Sequence, residues 1–164
     1  MKHKKTFWPI LTFQNSLKQV FRIYKKNLAL MISISANLNI MIKAARRAGR
    51  SLMRDFGEVE NLQVSAKGPG DFVSRADLKA EEMLKEELMD ARPNYGWLAE
   101  ESSEIAGADP TRRWIVDPLD GTTNFVHGLP LYSVSIALKH KDELVIGVVY
   151  EIGMDECFSA YSDG

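Results

Sequence analysis

Residues 114–125, WIVDPLDGTTNF, decide the fold, because a short apolar run ends here in acidic residues. Such a run is typical of a buried strand. Asp117 and Asp120 follow it, three residues apart on a proline-stiffened turn, and Gly121 and Thr122 come next, where a helix can begin. Carboxylates bind hard cations such as Mg²⁺, and free N–H groups at a helix N-terminus bind phosphate. The stretch therefore predicts phosphoryl chemistry.

A second acidic pair follows the preceding strand. Residues 97–99 form a short apolar run, and Glu100 and Glu101 come directly after it. Adjacent strand ends can bring Glu100, Asp117 and Asp120 close together, and a divalent cation removes the resulting repulsion. Taken alone, the segment from Asp117 to Asp120 is equally explained by an ordinary turn, because Asp-Gly is a common turn pair.

Three further polar residues have both a structural and a functional interpretation. Thr122 is either a helix-capping residue or a hydroxyl that orients an attacking water. Asp77 is a charge in the first turn of a helix, unless the fold brings it close to Thr122. Lys67 is by default a solvated loop charge. His127 and His140 have no partners at ligand spacing, so neither predicts a metal site.

Two amphipathic helices are predicted before the strands. Apolar residues recur at helical spacing over residues 36–56, and we expect Gly57 to end that helix. A short strand is expected at residues 62–64. The second helix is expected from near Ser74 to Ala91, where Pro93 stops it.

Three more strands are predicted after the acidic segment, at residues 133–138, 144–150 and 156–161. The polar turn at residues 139–143 predicts a hairpin between the first two of them. The sequence then stops at a turn signal, which would leave a sheet with an unpaired edge and an uncovered face. We interpret residues 36–164 as one half of a domain.

Charge is distributed unevenly along the chain. Residues 1–54 contain 12 of the 21 Lys and Arg residues and none of the 22 Asp and Glu residues, whereas the net charge is only −1. We interpret residues 1–35 as a basic, poorly ordered N-terminal extension that the chemistry does not need. Its charge is the one feature that favours nucleic acid, which the acidic remainder disfavours.

Composition indicates a globular protein of one domain. The chain has 164 residues, of which 45% are hydrophobic and 26% charged. No apolar run reaches the roughly 18–20 residues that span a bilayer, so we expect no membrane partner. Cys157 is the single cysteine, which excludes an internal disulfide and favours a reducing, cytoplasmic compartment. Its strand-like surroundings favour a packed, inert thiol.

Three segments together resemble the inositol monophosphatase family of Mg²⁺-dependent, lithium-sensitive phosphatases, in the style of the bacterial inositol-1-monophosphatases. They are residues 97–102, WLAEES, residues 114–125, and residues 67–77, KGPGDFVSRAD. The resemblance covers residues 36–164. It implies an α+β fold, a layered sugar-phosphatase-type sandwich in which two N-terminal helices pack on a mainly antiparallel sheet.

The resemblance also implies a role for each site residue. Glu100, Asp117 and the Leu119 carbonyl would hold one Mg²⁺, and Asp117 and Asp120 would share another, with two or three ions in a complete site. The N–H groups of Gly121 and Thr122 would bind the phosphate. Thr122 and Asp77 would position and deprotonate a water, with the help of Glu100, and Lys67 and Glu101 would support the site.

The resemblance implies the hydrolysis of inositol 1-phosphate to inositol and phosphate, by a homodimer when full length. Family members continue for roughly as many residues again, and that half supplies a further Asp ligand and most substrate contacts. We therefore expect these 164 residues alone to be inactive or impaired.

Other functions stay open at this point. A related fructose-1,6-bisphosphatase or 3′-phosphoadenosine nucleotide phosphatase would share the metal motifs. A non-enzymatic RNA-processing or transcription accessory factor would use the basic N-terminus. A frameshifted or degraded gene product would have no function.

Overall fold

The computed structural model describes residues 10–62 and 69–162. The described elements, in chain order, are helices α1 (Ile10–Leu62) and α2 (Pro69–Ala91), strands β1 (Gly96–Ala99) and β2 (Arg112–Asp120), helix α3 (Thr122–Val126), and strands β3 (Ser133–His140), β4 (Glu143–Glu151) and β5 (Glu156–Tyr161). Among these helices, none combines the length and apolar character needed to cross a membrane.

The chain divides into two units, residues 1–35 and residues 36–164. In the first unit, residues 10–35 are helical. That residues 1–35 form a poorly ordered extension that the chemistry does not need stays a prediction. All the strands and the acidic residues of interest belong to the second unit.

Helix α1 continues past the glycine that was expected to end it. The prediction for Gly57 is wrong, because the helix runs to Leu62. A Cβ added at Gly57 would meet nothing within 4 Å. The residue is exposed and costs the helix only about 1 kcal/mol relative to Ala, which packing elsewhere on the helix offsets. The strand predicted at residues 62–64 is therefore wrong at Leu62, which is the last residue of α1. Val64 lies outside the described residues.

Helix α2 begins earlier than the sequence predicts. Its first residue is Pro69, and Ser74 lies within the helix rather than at its start. Proline suits the first helical position, because its fixed φ matches the helix and its missing N–H has no intrahelical partner there. The predicted end at Ala91, before Pro93, is confirmed.

The sheet is mixed but mainly antiparallel, as predicted. Its strand order is β1-β2-β3-β4-β5, in which β1 and β2 are parallel and the other pairs antiparallel. The predicted hairpin of β3 and β4 is confirmed, and its turn contains Lys141 with a φ of 57°. Strands over residues 133–138, 144–150 and 156–161 are likewise present.

Strand β2 includes the segment that was expected to form a turn. Asp117 lies opposite Ser135 and Asp120 lies opposite Ser133, so β2 holds one more residue than β3 between these two pairs. Such a bulge leaves one residue out of the ladder and accommodates Pro118, which has no N–H to donate. The turn prediction is wrong in form, but the segment still departs from a regular strand at the acidic residues.

One face of the sheet packs with α1 and α2 to form the core. Fully or almost fully buried residues line both sides: Met41, Ala45, Ala48, Leu52, Ala80, Leu84 and Leu88 from the helices, and Trp114, Val116, Ile136, Leu138, Ile146 and Val148 from the sheet. Helix α1 approaches β4 closely, since a Cβ added at Gly49 would lie 2.5 Å from a ring carbon of Tyr150.

The opposite face of the sheet bears an open apolar groove of about 440 Å³. Ile115, Ala137, Val149 and Phe158 line it, and its lining includes Asp117. Val149 is 42% exposed and Phe158 is 58% exposed. The described residues therefore leave this face in contact with solvent.

Candidate active site

The parallel pairing of β1 and β2 brings two acidic segments to one edge of the sheet. Ala99, the last residue of β1, lies opposite Val116. Glu100 therefore follows at the level of Asp117, and the charge of Glu100 raises the pKa of Asp117. The register thus brings the ends of β1 and β2 to the same level, and the close approach of Glu100, Asp117 and Asp120 around a metal stays a prediction.

Asp117 is a half-buried carboxylate among like charges. Burial is the largest cause that raises its pKa to about 6, and the charges of Glu100 and Asp120 add to it. The Leu119 N–H donates to Asp117 Oδ1 over 3.2 Å, which opposes the shift. Asp117 thus sits where a nearby positive charge would lower its free energy.

Helix α2 adds Asp77 to the same acidic group. Asp77 is 5% exposed, and burial is the largest cause that raises its pKa to about 7. The charges of Glu101, Asp117 and Glu100 follow in that order. Among the described residues, Asp77 Oδ1 is buried with no hydrogen-bond partner. The interpretation of Asp77 as a first-turn charge is wrong, because α2 begins at Pro69 and Asp77 lies about two turns further along the helix.

The end of β2 forms a compact backbone turn into α3. Thr122 Oγ1 donates to the Leu119 carbonyl over 2.9 Å, so the hydroxyl and the carbonyl predicted for the site are in contact. Gly121 precedes α3 with a φ of 92°, and a Cβ there would lie 2.9 Å from the Leu131 carbonyl oxygen. No side chain caps the first turn of α3.

Glu81 is a site residue that the sequence analysis missed. It is 4% exposed, and its Oε2 accepts a hydrogen bond of 3.0 Å from the Glu101 N–H. Its charge also contributes to the raised pKa of Asp77. A signal was available, since Asp77 and Glu81 lie four residues apart on the helix. Like charges at this spacing share one face and repel, so function or tertiary contacts must maintain them.

The remaining candidates contribute less to this geometry. Lys67 lies outside the described residues. Nδ1 of His127 is 2.7 Å from the Thr123 carbonyl oxygen, as in an ordinary helix-end contact. Burial raises the pKa of the Cys157 thiol, in agreement with an inert side chain.

Burial and the charges of neighbouring carboxylates are the leading causes that raise the pKa values of Asp77 and Asp117. Within the described residues, no three His, Cys, Asp or Glu side chains are already close enough together to hold a metal ion. The carboxylates are thus near enough to raise each other's pKa, yet spread more widely than a closed cage. The unpartnered oxygen of Asp77 and the all-oxygen donor set fit a hard divalent cation.

The sequence model of the inositol monophosphatase family matches residues 34–164. The chain belongs to this family. Among its relatives, the inositol-1-monophosphatase of Mesorhizobium japonicum is 59% identical over 130 residues, which are 79% of this chain and 49% of that protein. The Nus factor SuhB of Pasteurella multocida is 42% identical over 123 residues, which are 75% of this chain and 46% of that protein.

A solved structure of a family member agrees with the fold. The extragenic suppressor protein suhB from Bartonella henselae superposes with a TM-score of 0.69 at 58% identity, over 77% of this chain and 49% of that one. This inositol monophosphatase family chain spans about half the length of the curated relatives it matches.

Proposed function

We propose that the acidic group formed by Asp77, Glu100, Asp117 and Asp120 is the metal half of a phosphomonoesterase site. The observation that carries this proposal is the convergence of mutually repelling carboxylates beside the turn into α3, of which Asp77 is buried and Asp117 half-buried. A group of carboxylates of this kind binds cations. The backbone N–H groups of Gly121 and Thr122, which come next in the chain, are suited to binding a phosphate.

The residues for each bound group follow from the family resemblance. Glu100, Asp117 and the Leu119 carbonyl would hold one Mg²⁺, and Asp120 would share a second ion with Asp117. The bound ions would supply charge neutralisation at the phosphoryl oxygens. Gly121 and Thr122 would donate their N–H groups to the phosphate.

Thr122 and Asp77 would prepare the nucleophilic water. The Thr122 hydroxyl donates its hydrogen bond to the Leu119 carbonyl. The lone pairs of Thr122 Oγ1 would therefore be available to accept a hydrogen bond from the water. Asp77 would accept a proton from this water as general base. Its pKa of about 7 belongs to the metal-free chain, and bound cations would lower it because they offset the neighbouring carboxylate charges. The water oxygen would then attack phosphorus as the bond from phosphorus to the ester oxygen breaks, and the leaving oxygen would take up a proton from solvent to give the free alcohol. Glu100, Glu101 and Lys67 would support this arrangement.

The substrate we propose is inositol 1-phosphate, because relatives at 58% and 59% identity have the name inositol-1-monophosphatase. The proposal concerns the whole protein, a homodimer in the cytoplasm. Fructose 1,6-bisphosphate and 3′-phosphoadenosine nucleotides are the alternative substrates, and a panel of all three tests the choice by phosphate release. We expect the 164-residue chain itself to turn over slowly, since family members place further ligands and substrate contacts in their second half.

Metal binding tests the site without depending on turnover. We expect Mn²⁺, used as a paramagnetic probe for Mg²⁺, to broaden the amide signals of residues 100, 117 and 119–122 in the NMR spectrum. Asp117→Asn should weaken that binding at least tenfold, because it removes a charged ligand. Asp142→Asn is the matched control, because it removes a fully exposed carboxylate from the β3–β4 turn. Broadening that is equal in both variants would refute the site.

Two observations favour a second function. Relatives named Nus factor SuhB are 38% to 42% identical to this chain, and residues 1–54 contain no acidic residue. We therefore keep an RNA-processing or transcription accessory role as the alternative. Salt-sensitive RNA binding that disappears when residues 1–35 are deleted would support it. RNA binding that persists after this deletion would show that residues 1–35 are not the RNA-binding segment.

A further inference from the structure

We propose that Glu81 is a positioning residue that fixes the backbone after β1 and thereby holds Glu100 at the metal. The functional part of this inference rests on the phosphatase site proposed above. The structural part rests on a hydrogen bond between α2 and the segment of residues 100–102, and it can be tested separately.

The segment after β1 has no regular secondary structure of its own. Residues 100–104 form a bend between β1 and the bridge at Ile105. Trp97 anchors its two ends, through a pair of 2.9 Å backbone hydrogen bonds with Ile105 and a 3.3 Å bond from its indole Nε1 to Ser102 Oγ. Glu100 and Glu101 are both exposed on this bend. Their positions therefore depend on contacts made by the backbone.

Glu81 supplies such a contact from the opposite side. Its Oε2 accepts from the Glu101 N–H at 3.0 Å, and the side chain is almost completely buried. The rigid helix α2 is thus tied to the peptide group that joins Glu100 to Glu101. A bond to that peptide restricts the backbone of the proposed ligand Glu100 directly.

The negative charge of Glu81 does not stabilise the fold through its carboxylate neighbours, because it lies among like charges. Its negative charge lies close enough to Asp77 to raise that pKa, so the ionised side chain adds to an unfavourable acidic group. A carboxylate accepts a stronger hydrogen bond from an N–H than a neutral group does. The hydrogen bond that Glu81 accepts from the Glu101 N–H offsets part of the cost of burying this carboxylate.

Two substitutions separate positioning from charge. Glu81→Gln removes the charge but retains an acceptor oxygen at the same reach. Glu81→Asp retains the charge but shortens the side chain by one methylene, so it no longer reaches the Glu101 N–H. Glu82→Gln, at an exposed position next to it on α2, is the control.

Hydrogen exchange of the Glu101 amide in the metal-free 164-residue chain tests the bond. We expect Glu81→Asp to accelerate this exchange about tenfold, while Glu81→Gln and Glu82→Gln stay within about threefold of wild type. Amides of Ile136 and Val148 in the central strands report global stability and should not change. Unaltered exchange at Glu101 in Glu81→Asp would overturn the inference.

Mn²⁺ affinity tests the functional part. Positioning predicts about tenfold weaker binding in Glu81→Asp and near-wild-type binding in Glu81→Gln. The opposite order, with the loss in Glu81→Gln, would mean that Glu81 acts through its charge and would overturn the positioning role. A wild-type chain that binds no Mn²⁺ would contradict the proposed function and the metal link together. The exchange result would still decide whether Glu81 orders the bend.

Discussion

Asp77 is the carboxylate whose ionisation the fold opposes most clearly. Its pKa rises from an ordinary value of 3.8 to about 7, with burial as the largest cause. The folded chain therefore holds this proton more tightly than the unfolded chain does. Stability from this group is complete below pH about 4 and is lost as pH rises to about 7. Asp117, with a pKa of about 6, acts in the same direction.

The first prediction follows from this sign. Without metal, Asp77→Asn should be more stable than wild type at pH 8, by on the order of 2 kcal/mol, and the two should converge near pH 4. Urea unfolding at a series of pH values measures the difference. Asp142→Asn, at an exposed turn position, should follow wild type throughout. A stability gap that is constant between pH 4 and pH 8 would contradict the assignment.

Gly121 and Gly128 provide a second test at the scale of single residues. Both have a positive φ, of 92° and 71°, which penalises any side chain. A Cβ at Gly121 would also meet the Leu131 carbonyl oxygen at 2.9 Å, whereas nothing lies within 4 Å at Gly128. Gly128→Ala should cost about 1 kcal/mol, and Gly121→Ala should cost about 2–4 kcal/mol.

Thermal unfolding of the two alanine variants measures these costs under identical conditions. Equal losses would show that the backbone conformation alone requires glycine at Gly121. A larger loss at Gly121 would show that the turn into α3 is also held by its close approach to residues 131 and 132. That turn carries the N–H groups proposed to bind phosphate.

At the scale of elements, helix α1 has two glycines in opposite environments. A Cβ at Gly49 would press against Tyr150 and Ile152, while Gly57 has open space around it. Gly49→Ala should destabilise the fold by about 1–3 kcal/mol through overpacking. Gly57→Ala should stabilise it by about 0.5–1 kcal/mol through helix propensity. Urea denaturation gives both values, and the same sign for both would contradict the packing of α1 on β4.

The elements were largely predictable because their signals are local. Periodicity located the two long helices and all five strands, and Pro93 correctly marked the end of α2, but the strand predicted at residues 62–64 is wrong at Leu62, which is helical. Several boundaries were wrong, since α1 spans Ile10–Leu62 rather than residues 36–56 and α2 begins at Pro69 rather than near Ser74. Two of the errors show the physical reason most directly. An exposed glycine such as Gly57 weakens a helix without ending it, and a bulge lets β2 continue through Pro118. Local propensity cannot weigh either effect against tertiary packing.

The site was predictable at its strand ends and less so on α2. Motifs marked Asp117 and Glu100 because acidic residues at strand ends are visible in sequence. The approach of Asp77 to them depends on how α2 packs against β2, which no local pattern measures. The spacing of Asp77 and Glu81 is a sequence signal for a shared acidic face, but the hydrogen bond from the Glu101 N–H to Glu81 depends on tertiary packing that no local pattern measures.

At the scale of the whole molecule, the open face of the sheet is an exposed apolar surface. Val149 and Phe158 lie side by side on it as a cross-strand pair. Exposed apolar patches next to a free strand edge promote self-association. We expect the chain to bind the dye ANS and to associate with increasing concentration.

Phe158→Ser tests this prediction. It should reduce ANS fluorescence and self-association markedly, with a stability loss below about 1 kcal/mol because the ring is already 58% exposed. Met53→Gln, which removes an exposed apolar side chain from α1, is the control and should change neither property. Sedimentation velocity measures the association. An unchanged sedimentation profile for Phe158→Ser would show that another surface is responsible.

The order of strands in the sheet has a consequence for how the chain folds. Since β1 to β5 lie side by side in chain order, each strand pairs with the one that follows it, and no distant segment must be captured first. Loop-closure entropy is therefore small for the β3–β4–β5 meander, which can form early. The acidic group draws on α2, β1 and β2, and its carboxylates come close enough to repel each other only when those elements dock, which opposes the docking step. Its assembly should be a late step, which bound divalent cation would accelerate only if the ion joins before the transition state.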